Sequence, residues 1–202
     1  MKQQSMIWLV LLVAVLLTGC GRSAPVRYYS LSPLPEASQE RAATNGPAHR
    51  IVTVGPVSLP AYLDRPQVVR RLGAHELDLL DFHHWAESLA DSLERLLIEN
   101  LAFLLAGQGF DVVPRQGSDR GALYRLSLRL VSFDGDMESG NVVLVGQWRI
   151  ATIQSGKDPL SRRSRIEKKI RGGKVADLVA AQSEALAELS RHMATALQEE
   201  IP

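Results

Sequence analysis

The chain has 202 residues, with 23 Lys and Arg against 22 Asp and Glu for a net charge of +1, and an aromatic content of 5%. That balance lacks the basic excess of a nucleic-acid binder, and so few aromatics argue against an extensive base-stacking or sugar-stacking surface. The chain's single cysteine excludes an internal disulfide and a thiolate metal cluster, so one core of about 150 residues must hold the mature fold unaided.

The first element in the chain is an address. Lys2 is followed by the apolar run Met6–Leu17, which is shorter than the about 20 residues a membrane-spanning helix needs. A basic end, a short apolar core and the small residues Thr18 and Gly19 describe an export signal over 1–19. Leu17-Thr18-Gly19-Cys20 matches the bacterial lipobox, in which the thiol takes a diacylglyceryl group and the amine freed by cleavage is acylated in turn. Each buried CH₂ contributes about 0.8 kcal/mol and one chain alone holds only marginally, so several chains make a stable anchor. Cys20 is therefore the expected lipidation site. Its covalent lipid is the only group expected beyond the polypeptide, with no other cofactor and no metal. Gly21 stands where an Asp would retain a lipoprotein in the inner membrane of a diderm bacterium, so the expected location is the periplasmic face of the outer membrane.

Residues 20–49 are rich in Pro, Ser, Ala and charge and read as a lipidated tether with one short strand near 27–31. Order resumes in the domain over 50–202. The β-branched segment from Ile51 to Pro60 reads as a strand that Pro56 places at an edge or bulge. A turn follows, with Pro66 biasing Arg65 towards extended geometry. Gln67–Leu72 and Glu76–Leu80 form a predicted hairpin across Gly73 and Ala74.

Trp85, Leu89, Leu93, Leu96, Leu97, Leu101, Leu104 and Leu105 recur in steps of three and four. They predict a helix from about His84 to Ala106, capped near Asp81 and closed by Gly107 and Gly109. A short strand covers Phe110–Pro114. Tyr124, Leu126, Leu128 and Leu130 then alternate with Arg125, Ser127 and Arg129, and a turn over 135–140 leads into a second long strand from Asn141. A third strand carries Ile166 and Ile170. Val175, Leu178, Val179, Leu186, Leu189, Met193 and Leu197 mark a second helix. The order β, ββ, α, β, βββ, α predicts a single α+β domain, a mainly antiparallel sheet with two long helices packed on one face.

No Gly-x-Ser-x-Gly elbow, phosphate loop or His-Glu-x-x-His occurs, so the chain is not expected to be an enzyme. A hydrolase would need a nucleophile and base joined only by the fold. His83 and His84 are adjacent, so their rings would not share a helix face, and they read as a pair at a helix start. The basic segment 162–174 fits contact with lipid phosphates or an acidic partner, but reads first as an edge strand protected by charge. Tyr62, Leu63, Asp64, Arg65, Pro66 and Gln67 are unusual for a solvent-side turn. Either they form a contact patch for another chain, or Tyr62 and Leu63 fold onto the core while Asp64 and Arg65 brace the turn.

The lipobox at Cys20, the segment Arg27–Leu31, Val54–Arg71 and Trp85–Leu101 together resemble the PqiC-type group of the ABC-type transport auxiliary lipoproteins. The resemblance is most specific at Tyr62–Gln67 and Trp85–Glu87. From about Gly117 onward it rests on pattern alone. It implies a non-enzymatic outer-membrane lipoprotein serving an MCE-type lipid transport system, docking a periplasm-spanning MCE-domain protein held in the inner membrane. Phospholipid and a second copy of the chain are further candidate partners; nucleic acid is not. A structural or assembly lipoprotein of another outer-membrane or secretion complex is the alternative.

Overall fold

The computed structural model describes residues 24–35, 50–115, 121–136, 138–153 and 158–200. Among them, eight strands and two helices follow in chain order: β1 (Arg27–Tyr29), β2 (Arg50–Ser58), β3 (Gln67–Gly73), β4 (Glu76–Trp85), α1 (Leu89–Leu104), β5 (Phe110–Pro114), β6 (Tyr124–Asp136), β7 (Asn141–Thr152), β8 (Leu160–Lys169) and α2 (Val175–Glu200). None of these helices is long and apolar enough to cross a membrane.

The long strand β6 organises the sheet. One edge is paired along its whole length with β7, which in turn pairs with the edge strand β8. The other edge is shared: Val52–Ser58 of β2 lie beside Tyr124–Arg129, and Arg70 and Arg71 of β3 lie beside Gly135 and Asp136. Two branches therefore leave β6, β2–β5 and β3–β4–β1, with a notch between them. Pro56 belongs to a bulge in an interior strand, because the register shifts between Val54 and Val57 while β2 stays paired on both sides.

The expected mainly antiparallel sheet is corrected to a mixed one. Of the seven strand pairings among the described residues, β1–β4, β2–β5, β2–β6 and β3–β6 are parallel. Parallel neighbours need a long crossover rather than a tight turn. Here the chain passes through β3, β4 and α1 before β5 returns beside β2. The adjacent hairpins are visible locally in the sequence, whereas these distant partners are not.

The first helix also starts later than its leucine spacing suggests. His84 and Trp85 close β4, Asp81 lies within that strand, and Ser88 caps α1 by accepting from Asp91 N–H. Leu89, Leu93, Leu96, Leu97 and Leu101 then face the core, each burial contributing about 1.5–3 kcal/mol. On α2, Leu178, Leu186, Leu189, Met193 and Leu197 do the same. Both helices lie on one face of the sheet. Asn100 of α1 joins them, donating to Ser190 Oγ at 3.1 Å while its Oδ1 accepts from Leu34 N–H at 2.8 Å. Leu31 and Leu34 are thereby sealed into the core, and the stretch after β1 lies across the helix layer.

Candidate functional site

The loop between β2 and β3 occupies the notch beside β6. Leu63 N–H donates to Pro60 O and Arg65 N–H to Leu63 O, both at 2.9 Å, which turns the chain sharply. Trp85 N–H donates to Pro66 O at 2.7 Å and ties the loop's exit to the end of β4. Leu63 is buried, only 2% exposed. Tyr62 is half-buried against the core, and its Oη donates to Asp134 Oδ1 at 2.6 Å. Arg71 Nε donates to the other carboxylate oxygen at 2.7 Å.

A buried carboxylate thus latches the loop to β6. Burial, followed by the Asp134 hydrogen bond and charge, pushes the Tyr62 phenol well above the ordinary tyrosine range and keeps it neutral. Burial works against the Arg71 charge as well, but the hydrogen bond and charge of Asp134 outweigh it and raise that pKa. Neither Asp134 nor Arg71 is singled out by sequence reasoning. β6 slips register between Leu130 and Ser132, so strict alternation from Tyr124 would have put Asp134 on the core face.

The six turn residues therefore divide. Tyr62 and Leu63 point inward. Asp64 and Pro66 are exposed, Arg65 and Gln67 half-buried, and Gln67 is opposite His84 in the β3–β4 ladder. Asp64 and Arg65 do not pair with each other. They line an open cleft of about 370 Å³ with Pro66, Trp85, Glu87 and Ser88. The buried Arg65 Nε has no hydrogen-bond partner there, while Glu87 is engaged by Arg95 and Ser92. The hydrogen bond from Arg95 depresses the Glu87 pKa most, against burial and with help from Ser92.

His83 and His84 have a structural task on β4, where Tyr29 Oη lies 2.7 Å from His83 Nδ1 and the Tyr28 ring meets the His84 ring edge-on. No group of three or more His, Cys, Asp or Glu among the described residues is placed to hold a metal. Cys20 and Gly21 lie outside the described residues.

The described residues thus form an α+β domain in which a latched loop presents a polar rim beside β6. The chain belongs to the ABC-type transport auxiliary lipoprotein family, whose model matches residues 29–194. It is 28% identical over 143 residues to the intermembrane transport lipoprotein PqiC of Escherichia coli, covering 70% of this chain and 72% of that one. Among solved structures, an uncharacterised protein superposes with a TM-score of 0.71 at 21% identity, over 86% of this chain and 99% of the other. A Xanthomonas campestris protein gives 0.64 at 18%, over 87% and 100%. These two likenesses show the fold.

Proposed function

We propose that this protein is an outer-membrane lipoprotein, anchored through Cys20 and sorted past the inner membrane by Gly21, that acts as the non-catalytic auxiliary subunit of an MCE-type, ABC-linked lipid transport system and so supports envelope integrity. The observation that carries this reading is the likeness to PqiC, an intermembrane transport lipoprotein, over 70% of the chain. The export signal and lipobox agree with it. The accessible rim Asp64–Pro66 is the surface that meets the MCE-domain partner, with Tyr62 and Leu63 holding it from below and Gln67 fixing its exit to β4.

Affinity purification of the lipidated protein from gently solubilised native membranes tests the reading. An MCE-domain protein should be recovered. Recovery of a secretion or outer-membrane assembly factor in its place would overturn it. Replacing Asp64 and Arg65 together with Ala should lose the partner while leaving the melting temperature within a few degrees, because surface substitutions usually cost no more than about 0.5 kcal/mol. A large fall in melting temperature with the complex intact would assign the rim a structural role only.

A further inference from the structure

Helices cover one face of the sheet, and on the other face β6, β7 and β8 turn their polar residues outward. The register places Arg129 opposite Gln147, and Gln147 opposite Arg163; on the neighbouring rung Ser127 lies opposite Arg149, and Arg149 opposite Ser161. Strands are about 4.8 Å apart, so Arg129 and Arg163 stand about 10 Å apart at the backbone with Gln147 between them. Arg149 Nε donates to Ser161 Oγ at 3.2 Å, which holds the third guanidinium on the adjoining rung, towards β8. These side chains line an open cleft of about 670 Å³, and no Asp or Glu is among its lining residues.

The arrangement is not explained by edge protection. Charge on the edge strand β8 accounts for Arg163, but Arg129 and Arg149 lie on the interior strands β6 and β7. Like charges on neighbouring strands of one face repel. Elsewhere the chain neutralises such residues: just beyond the cleft, Arg165 pairs with Glu167, Lys168 with Glu188 and Arg171 with Glu184. Among the described residues, Arg129 and Arg163 have no ion-pair partner. The basic segment 162–174 therefore divides: Arg165, Lys168 and Arg171 are ion-paired, whereas Arg163 stands in one wall of a cleft lined by no carboxylate.

We propose that this cleft binds the phosphate of a phospholipid headgroup, with Arg129 and Arg163 donating from opposite sides, Arg149 from the adjoining rung, and Gln147 and the serines available to the glycerol oxygens. Guanidinium forks match phosphate oxygens in shape as well as charge. Leu128 and Trp148 are buried beneath the polar layer, so the site takes the headgroup and leaves the acyl chains outside. Naming the anion as a lipid headgroup rests on the transport reading; the charge pattern does not.

The test is calorimetric titration of the full-length lipidated protein, in neutral maltoside detergent, with dihexanoylphosphatidylglycerol below its micellar concentration. Inorganic phosphate is titrated in parallel. Wild type and R171Q should bind the lipid alike. R129Q/R163Q should bind at least about tenfold more weakly, since a hydrogen bond from a charged group is worth about a decade or more in Kd, and added salt should weaken wild-type binding. No binding by wild type, equal binding by R129Q/R163Q with an unchanged melting temperature, or inorganic phosphate binding as tightly as the lipid would each overturn the proposal. Partner recovery by R129Q/R163Q is read separately. A failed titration with the MCE-domain complex intact would remove the cleft and leave the transport reading standing, and retained lipid binding without such a partner would do the reverse.

Discussion

The sharpest test of the latch is Asp134→Ala. Asp134 is 4% exposed and accepts from Tyr62 Oη at 2.6 Å and Arg71 Nε at 2.7 Å, so truncation strands a half-buried hydroxyl and a guanidinium at once. Breaking a buried charge pair by removing one member costs about 3–5 kcal/mol. The Arg71 side chain retains 28% exposure and can recruit water, which places the loss at the lower end, about 3 kcal/mol. For a domain of this size that corresponds to about 6–12 °C in melting temperature. Urea unfolding of the lipidated protein in detergent, followed by far-UV circular dichroism, measures it. Tyr62→Phe should cost about 1.5–3 kcal/mol, one neutral donor to a charged acceptor, and nearly nothing more when added to Asp134→Ala. A loss under about 1 kcal/mol for Asp134→Ala, or additivity of the two substitutions, would show that the loop is held by other means. The same variant, kept below its melting point, should recover less MCE-domain partner although Asp134 never reaches the surface.

Three further outcomes are expected. Because the folded Tyr62 pKa lies above the ordinary 10.0, its contribution is complete below pH 10 and declines as pH rises beyond it towards the folded value; the stability difference between wild type and Tyr62→Phe should shrink there and stay level from pH 6 to 9. Asn100→Leu leaves the buried Leu34 N–H without its acceptor and should cost about 1–3 kcal/mol, with faster proteolysis near residue 35 as a second readout. Gly135→Ala brings a Cβ to 2.2 Å from Leu178 Cδ1; with α2 packed over β6, overpacking of about 1–3 kcal/mol should appear in chemical unfolding, and Leu178→Ala in the same chain should recover part of it.

The helices and most strands can be read from the sequence because their periods are local. Leu93, Leu96, Leu97 and Leu101 announce a helix without reference to anything else, and the alternation from Tyr124 to Leu130 announces a strand. The start of α1 is misread because Trp85 continues the helical spacing by coincidence, being a core residue of β4. The candidate site is only half visible. Tyr62–Pro66 stand out as odd residues for a turn, but their anchor Asp134 lies 72 residues away and beyond a bulge that reverses which side of β6 faces the helices. The cleft is equally obscured: the sequence shows only that Arg125, Ser127 and Arg129 alternate with apolar residues, and it takes the register of three strands to put Arg129, Arg149 and Arg163 on one face.

The pinning of Leu31 and Leu34 on the helix layer sets the length of the leash. With a lipid on Cys20, only the stretch up to Arg27 is left to separate the first strand from the bilayer, about 25 Å at full extension. A domain anchored with so little slack would not patrol the space between two membranes or swing to meet a distant partner. Anchored through Cys20 as proposed, it would be held at the lipid surface, and whatever delivers or collects cargo would have to come the whole way to it. The short tether also makes the local concentration of membrane lipid around the sheet high at all times, so even a weak headgroup site would stay occupied.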